Sequence, residues 1–466
     1  MNNIDKFAPF RLKMQEAKIN ETAINTFENY YNQLIAGKSG LISSAEAQPV
    51  SNISHINEFE RYESTGQKNL NKVAVIKLNG GLGTSMGLSC AKSLLKVRND
   101  ESFLDITVKQ ILNMRRDLNI NIPLIFMNSF STDGDTKMAL KKYPELANNQ
   151  NISTTFTENK VLKIDAKTYQ PAEWPKEPKH EWSPPGHGDI YLALLESGML
   201  DNLLRKGYEY VFVSNSDNLG AVIDTGLVGY MVEENASFLM EVANRTEADK
   251  KGGHLAKSTN GHLMLREVAQ CPEDEIDQFQ DITRYKYFNT NNIWFHIPTL
   301  KKILTEQNGF INLPLIKNNK FVDPTDKSSP KVHQLETAMG SAINIFPNSH
   351  AVNVERDRFI PVKKTTDLLV IRSDNYKLEN DYHLNLNMVD RLEKPTNVDL
   401  DDEFYKMVGD LEERFPYDPP SLRACESFSV KGNVLFGKNI VIKGIVEIKN
   451  EDEKQMEIAD GSVLEG

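Results

Sequence analysis

Apolar residues recur at steps of three and four near the start of the chain, which is the spacing of one helix face. The residues of this stripe are Ile24, Phe27, Tyr31 and Leu34. The period is lost over residues 39–58, where Pro49 and small polar residues are typical of a linking segment. We therefore predict an N-terminal helical segment over residues 1–60, whose stripe serves packing.

Further along the chain, apolar runs rich in β-branched residues alternate with helical patterns. Strands are predicted at residues 73–78, 122–127 and 209–213, and helices from Ser102 and over residues 136–147. Strands that alternate with helices predict an α/β fold, with a mixed, mainly parallel, Rossmann-like sheet that carries helices on both faces. We place this central domain at residues 61–375.

The tail has a different period, because its apolar residues recur every six positions. The residues at this spacing are Val434, Ile440 and Val446, and the interval returns at Ile458 and Leu464. Hexapeptide spacing predicts a few rungs of parallel β-helix in a C-terminal domain over residues 376–466. A β-meander is the alternative that short apolar runs leave open. A few rungs leave an exposed end, which favours self-association into a homo-oligomer.

Composition limits the partners and the compartment. The formal charge of −11 over 466 residues argues against a nucleic-acid partner. Cys90, Cys271 and Cys425 are far apart and form no C-x-x-C pair, so a reducing compartment is the natural interpretation. The chain has no run of ~18 apolar residues and no secretory pattern at its start, which predicts a cytoplasmic protein without a membrane partner.

The main candidate for chemistry is a glycine loop that follows the strand at residues 73–78, in the sequence LNGGLGTSMGLSCAKS. Gly80, Gly81 and Gly83 lack a Cβ, so backbone N–H groups can approach a phosphate while Lys92 supplies a cation. The alternatives are a plain turn, an ATPase phosphate loop and a dinucleotide fingerprint.

Two spacings argue against those two nucleotide motifs. An ATPase loop needs Gly-Lys-Ser/Thr to be contiguous, whereas Lys92 lies five residues beyond Gly87. A dinucleotide site needs an acidic residue at the end of a second strand. Asp105 has about the right distance, but SFLDITVKQIL reads as a helix start.

A second loop, SNSDN, follows the strand at residues 209–213. Ligands of parallel sheets bind beyond the carboxyl ends of the strands, so this loop and the glycine loop are expected on one rim. Asp217 would then face the phosphates and hold Mg²⁺ or the ribose, and Asn215 would share the ribose. An Asx turn or a helix cap is the structural alternative for Asp217.

The glycine segment closely resembles the L-N-G-G-L-G-T-x-M-G-x-x-x-x-K-S signature of eukaryotic-type UTP:glucose-1-phosphate uridylyltransferases, the UDP-glucose pyrophosphorylases. Six further blocks occur in family order: WSPPGHGDIY, SNSDNLGA, EVANRTEADKKGG, FNTNNIW, QLETAMGSAI and RFIPVKKTTDLL. The resemblance implies a GT-A-like nucleotidyltransferase core and a C-terminal left-handed β-helix. It also implies that UTP and glucose 1-phosphate give UDP-glucose and pyrophosphate, with Mg²⁺ as cofactor.

The resemblance also implies roles for individual residues. Lys92 and Lys363 are the expected catalytic cations, and Lys363 is preferred to Lys364 because the family motif has threonine after a single lysine. The metal ligand is Asp217. The expected substrate-binding residues are Leu78, Asn79, Gly80, Gly81, Glu158, Gly186, His187, Gly188, Asn215, Asp217, Asn289, Asn291 and Glu336.

Within this set, His187 is interpreted as a hydrogen-bond donor, not as an acid or base. Strand alternation would place Asn289 and Asn291 on one face, where their amides meet sugar hydroxyls, and Asn292 on the other. Glu336 is a weaker candidate for the same task, as are Thr337 and Lys251.

The chain departs from the family pattern at two positions. Ala91 stands where proline usually precedes the loop lysine. Glu158 stands where a glutamine often reads uracil; as a carboxylate it would accept from the ring N–H but could not donate to a carbonyl. Two other functions remain open: a pyrophosphorylase with a broader sugar range, and an inactive nucleotide-binding regulator or scaffold.

Overall fold

The computed structural model describes residues 6–147, 151–387 and 396–466. Parts of the predicted N-terminal segment, residues 1–5, and of the predicted C-terminal domain, residues 388–395, lie outside the described residues. Within the described ranges the α-helices are α1 Ala8–Glu16, α2 Glu21–Ile35, α3 Glu63–Asn69, α4 Phe103–Leu118, α5 Asp133–Leu140, α6 Ile190–Glu196, α7 Met199–Arg205, α8 Thr225–Glu233, α9 Ile276–Gln280, α10 Ile297–Glu306, α11 Thr365–Arg372, α12 Asp402–Tyr405 and α13 Val408–Arg414.

The strands of the same ranges fall into one large sheet and several small ones. In chain order they are β1 Gln48–Pro49, β2 Val73–Asn79, β3 Lys96–Arg98, β4 Glu101–Ser102, β5 Leu124–Asn128, β6 Thr155–Thr157, β7 Val161–Leu162, β8 Ile164–Asp165, β9 Trp182–Ser183, β10 Tyr210–Asn215, β11 Phe238–Asn244, β12 His254–Lys257, β13 Leu263–Arg266, β14 Tyr287–His296, β15 Ile316–Phe321, β16 Lys331–Glu336, β17 Ser349–Val354, β18 Tyr376–Leu378, β19 Leu384–Leu386, β20 Asn397–Leu400, β21 Ser421–Lys431, β22 Val434–Phe436, β23 Val441–Lys449, β24 Met456–Ile458 and β25 Val463–Glu465.

The large sheet has the order β1-β12-β14-β10-β2-β5-β6, and β11 joins it by pairing with β14 and β17. Strands β10, β2, β5 and β6 run parallel, whereas β14 is antiparallel to β10. The prediction of a mixed α/β fold is confirmed. Because β2 and β10 are direct neighbours, Leu78 lies opposite Asn215, and the two predicted loops leave the sheet at the same edge.

Element boundaries follow local chemistry. Helix α4 begins where predicted, because Ser102 caps it: the Ser102 hydroxyl accepts from the Asp105 backbone, and Asp105 accepts in return from the Ser102 N–H. The predicted helix at residues 136–147 is instead α5, which starts earlier and ends at Leu140 before a 3₁₀ turn that opens on Pro144.

The predicted apolar stripe and the predicted linking segment are both present in the structure. Helix α2 buries the predicted residues, which pack with α1 against β7 and β16. The helices stop at Ile35 and Gly37 takes a positive φ, so the chain up to residue 60 is mostly not helical. Within it, β1 pairs with the edge strand β12 of the large sheet.

The tail forms parallel sheets in the orders β20-β21-β23-β25 and β22-β24. Val434 pairs with Met456 and Val441 with Val463, so neighbouring strands repeat at a constant offset along the chain. This parallel pairing excludes a β-meander, whose neighbours are antiparallel. The core of the tail also includes Met86 of the glycine loop and Val362, so the tail packs directly against the predicted site.

In the described part of the chain, we find no helix that combines the length and the apolar character needed to cross a membrane.

Candidate functional site

The glycine loop connects β2 to Lys92, and at several of its positions the backbone conformation or a close contact requires glycine. Gly83 and Gly87 have φ of 63° and 78°, a region that side chains other than glycine rarely adopt. A Cβ on Gly80 would lie 2.5 Å from Oε1 of Glu158, whereas the side of Gly81 is open. The Lys92 N–H donates to the Gly81 carbonyl over 3.0 Å, so the loop folds back and brings the lysine to its mouth.

Asn79 has a structural task in this loop. Its side chain is buried and donates to Asn128 and Thr136, over 2.9 and 2.8 Å, and it accepts from Ser216. These bonds tie β2 to the two neighbouring strand ends. The Asn79 carbonyl also accepts from the Thr132 hydroxyl over 2.7 Å, so both the side chain and the carbonyl of Asn79 serve the structure of the loop.

Lys92 and Asp217 meet across the rim, as the two predicted loops require. The Lys92 Nζ lies 2.6 Å from Oδ2 of Asp217, and both side chains are mostly but not fully buried. Asn215, at the end of β10, accepts from the Asn291 amide over 3.2 Å. A cation and a carboxylate therefore stand together beside the glycine loop, accessible to a charged ligand.

Lys363 reaches the rim on a separate segment. Pro361 forms a β-bridge with Asn218, next to Asp217, which brings this segment alongside the SNSDN loop. The Lys363 Nζ lies 5.5 Å from the Phe288 ring centre and 5.7 Å from that of Phe359, and the residue is exposed. In this arrangement its ammonium rests on aromatic faces, and no carboxylate among the described residues forms a salt bridge with it.

The asparagines of β14 are grouped as predicted, but for a different reason. Val242 pairs with Asn289 and Glu241 with Asn292, so Thr290 and Asn291 form a bulge. Strand alternation is therefore wrong here, because Asn291 has φ of 63° and its N–H donates to Oδ1 of Asn289 over 3.0 Å. The bulge turns these two amides to the rim and leaves Asn292 fully buried.

The PPGHG loop is held by Thr337. Its N–H donates to Pro185 and its carbonyl accepts from Gly188, both over 2.9 Å. A Cβ on Gly186, which has φ of 80°, would lie 2.5 Å from that carbonyl, and one on Gly188 would meet the Thr337 hydroxyl. Both glycines are thus required for close packing, which fixes the histidine between them.

His187 has a defined tautomer. Its Nδ1 accepts from the Met339 N–H over 3.0 Å, so the ring proton sits on Nε2. Burial lowers the pKa of His187 to about 4, which keeps the ring neutral across the physiological range. This geometry supports the interpretation of His187 as a donor.

Glu158 lies in an acidic group beneath the glycine loop. Burial raises the pKa of Glu158 well above its usual value, and the charges of Asp189 and Glu336 raise it further. Burial likewise raises the pKa of Asp189 to about 7 and raises that of Glu336. The raised pKa favours the protonated form of Glu158, and in that form the carboxyl would donate as well as accept, unlike the carboxylate expected from the sequence. Glu336 packs against Gly186 of the PPGHG loop.

Glu267 is a candidate that sequence reasoning missed. A Cβ on Gly253 would lie 2.5 Å from its Oε1, and one on Gly252 would clash with the Phe288 ring. Burial raises the pKa of Glu267 to about 7, and the nearby charge of Lys363 opposes that rise. The signal in the sequence was the glycine pair before β12, which marks a close approach.

Asp217 can hold a divalent ion only if a substrate supplies further oxygen ligands. Among the described residues, no group of three or more His, Cys, Asp or Glu side chains could hold a metal ion. Mg²⁺ usually binds one or two carboxylates plus substrate phosphates, so Asp217 beside a phosphate loop suffices.

Comparison with known proteins identifies the family of this site. The family model for UTP–glucose-1-phosphate uridylyltransferase matches residues 24–443. The chain belongs to this family. It is 42% identical over 399 residues to a probable UTP–glucose-1-phosphate uridylyltransferase of Schizosaccharomyces pombe. The aligned region covers 85% of this chain and 76% of that relative. The corresponding enzyme of Saccharomyces cerevisiae is 39% identical over 88% of this chain and 81% of its own.

Solved structures of the uridylyltransferase family share the whole architecture. The UDP-glucose phosphorylase of Trypanosoma brucei has a TM-score of 0.92 and 44% identity, with coverage of 99% of this chain and 98% of its own. A mutant of the Leishmania major UDP-glucose pyrophosphorylase, solved with UDP-glucose, has a TM-score of 0.92 and 42% identity, with the same coverage.

Proposed function

We infer that the protein joins UTP and glucose 1-phosphate into UDP-glucose and releases pyrophosphate. The observation that carries this conclusion is the Lys92–Asp217 pair at 2.6 Å, placed between the glycine loop and the SNSDN loop in a chain of this family. Two cations from different segments, Lys92 and Lys363, suit a reaction between two anions in an acidic chain.

The chemistry requires positioning and charge rather than a protein nucleophile. An oxygen of the sugar phosphate attacks the α-phosphorus of UTP in line with the departing pyrophosphate. That oxygen is already ionised near neutral pH, so no general base is needed. Lys92 neutralises the triphosphate from the loop side, and Lys363 holds phosphate from the other side, where charge develops in the transition state.

The nucleotide is held by backbone and by two neutral side chains. Leu78 to Gly81 and the glycines of the PPGHG loop present backbone groups to the base. His187 donates from Nε2 to a phosphate oxygen, and Glu158 in its protonated form pairs with uracil as an amide would. Asn215 or Asp217 is placed to meet the ribose.

The sugar and the metal occupy the opposite part of the rim. Asn289 and Asn291, held together at the bulge, donate to and accept from glucose hydroxyls, and Glu267 offers a further acceptor. Glu336 remains a weaker candidate for the sugar, since it packs on the nucleotide side. Asp217 would hold Mg²⁺ together with the phosphates; when bound, the ion neutralises charge on the phosphate oxygens.

We also propose a GT-A-like core, with the parallel sheets of the tail forming a short left-handed β-helix. Among the described residues β25 is the last strand of its sheet, and Val463 on β25 and Ile445 on the neighbouring strand β23 are exposed, which would suit a second copy of this chain. The cytoplasmic location and the domain limits at residues 60 and 375 stay predictions.

Pyrophosphate release tests the function directly. We expect the kcat/KM for UTP with glucose 1-phosphate to exceed that for any other pair by about tenfold or more. The other pairs are TTP, CTP, ATP or GTP with glucose 1-phosphate, and UTP with galactose or N-acetylglucosamine 1-phosphate. Chelation of divalent ions should stop release. UTP binding without release would favour the inactive regulator, and equal rates on several sugars would favour the broader enzyme.

Glu158→Gln tests the protonated carboxyl. Below the raised pKa of Glu158, both enzymes present a donor and an acceptor to uracil, so their KM values for UTP should be similar. Above it, the wild type loses the donor and gains a charge, and its KM should rise about tenfold, whereas the amide has no proton to lose. The dependence of KM for UTP on pH provides the measurement.

Glu196→Gln is the matched control for this experiment, because burial also raises the pKa of Glu196 and the residue lies outside the proposed uracil contact. It should keep the wild-type dependence of KM on pH. Parallel profiles for the wild type and Glu158→Gln would dismiss the role of Glu158 in reading the base.

A further inference from the structure

Glu241, in the middle of β11, is fully buried and has both carboxylate oxygens occupied. Arg358 binds it in a bidentate manner, with Nε 2.8 Å from Oε2 and Nη2 2.7 Å from Oε1. The Trp294 indole donates to Oε1 over 2.8 Å and the Asn292 amide to Oε2 over 3.1 Å. The residue thus forms a satisfied charged hub below the rim, without contact to the proposed substrate positions.

Arg358 begins the segment that ends in Lys363, and hydrogen bonds near Arg358 hold this segment in place. The Arg358 carbonyl accepts from the Asn218 and Asn292 amides, over 3.0 and 3.1 Å. The Ile360 N–H donates to Oδ1 of Asn218 over 2.9 Å. A Cβ on Gly220 would collide with the carbonyl of Asp357, so the two segments are in close contact. The position of Lys363 relative to the loop of Asp217 is therefore set by these bonds.

The same carboxylate residue holds the bulge of β14. The Thr290 hydroxyl donates to the Glu241 carbonyl over 2.7 Å, and Asn292 binds the side chain. Asn292 also accepts from Asn218 over 3.2 Å. Glu241 thus binds two segments directly, the bulge and the Lys363 segment, and the SNSDN loop joins them through the bonds of Asn218 to Asn292 and Arg358.

Stability alone gives a weak reason for such a hub, because replacing a buried ion pair by apolar side chains is often neutral or stabilising. We propose that Glu241 is a positioning residue for uridylyl transfer: through Arg358, Asn292 and Asn218 it fixes Lys363 against Asp217 and the Asn289–Asn291 bulge. This inference rests on the proposed function. It assigns Glu241 no contact with substrate.

The test uses Glu241→Gln, which keeps the shape but loses the charge, and Arg358→Lys, which keeps the charge but loses the fork. We expect each variant to lower kcat about 10- to 100-fold, because small misplacements of a catalytic group have effects of this size. KM for UTP should stay within about threefold, since the groups proposed to bind the base lie on other elements.

A double-substitution cycle separates positioning from general damage. If Glu241 acts through Lys363, then Glu241→Gln should lower kcat by less than about threefold in a Lys363→Ala background. Arg115→Lys is the control, since Arg115 also binds carbonyls, those of Ile122, Glu145 and Leu146, but lies on α4 away from the rim. It should change Tm without changing kcat. The Tm of each variant is measured by circular dichroism, and all assays are run well below it.

Two results would overturn the proposal. One is a folded Glu241→Gln enzyme with lowered Tm and unchanged kcat, matched by Arg358→Lys. The other is a full multiplicative loss in the double variant. Failure of the proposed function itself is a different outcome, because the wild type would then release no pyrophosphate from UTP and glucose 1-phosphate.

Discussion

Lys363→Ala is expected to lower kcat about 100-fold or more, whereas Lys364→Ala stays within about twofold of the wild type. Lys363 rests on the Phe288 and Phe359 rings beside Glu267, at the edge of the rim. Lys364 lies at the N-terminus of α11, where its backbone N–H donates to Asp367 and its side chain is exposed. The two lysines are adjacent in the chain, so Lys364→Ala is a control for local effects of an alanine substitution on folding.

The measurement is pyrophosphate release at saturating UTP and glucose 1-phosphate, which reports kcat, followed by KM for each substrate. Because Lys363 is proposed to act on charge that develops in the transition state, kcat should fall more than either KM rises. A loss shared equally by Lys363→Ala and Lys364→Ala would show that the register of the two lysines is misassigned.

Lys92→Ala is the second large effect, again expected at about 100-fold or more in kcat. Its side chain pairs with Asp217, so the variant also leaves a carboxylate without its cation where a triphosphate should bind. KM for UTP should therefore rise as well. Lys96→Ala is the control, because Lys96 pairs with Asp100 on the surface, and it should stay within about twofold.

Two explanations of that loss can be separated. If Lys92 only neutralised Asp217, adding Asp217→Asn to Lys92→Ala would restore activity. Our account predicts no recovery, because Lys92 and Asp217 both serve the phosphates, the latter through the metal. Restored turnover in the double variant would remove Lys92 from the catalytic role.

The sequence was sufficient to predict those parts of the fold and the site that depend on neighbouring residues in the chain. Strand β2 and its glycine loop follow from a β-branched run that ends in glycines, and the start of α4 follows from the reciprocal Ser102–Asp105 cap. The shared rim followed from a rule on parallel strands that needs no contact information. The lysine–carboxylate pair could be expected from the same rule.

Other parts depended on tertiary pairing. The bulge that brings Asn289 and Asn291 together exists because the register of β11 against β14 shifts, which no property of FNTNNIW indicates. The raised pKa of Glu158 depends on its burial and on the charges of Asp189 and Glu336, residues far from it in sequence. Glu241 and Arg358 were likewise invisible, since each is an ordinary charged residue until the fold buries both.

The proposed mechanism requires two ammonium groups from separate segments to converge on one set of phosphates. The direct measurement is a crystal structure of the protein with Mg²⁺, glucose 1-phosphate and a UTP analogue whose α–β bridging oxygen is replaced by carbon. We predict that the Nζ atoms of Lys92 and Lys363 each lie within about 3.2 Å of a phosphate oxygen. A complex in which Lys363 stays on its aromatic rings, or Lys92 contacts only Asp217, would contradict the account.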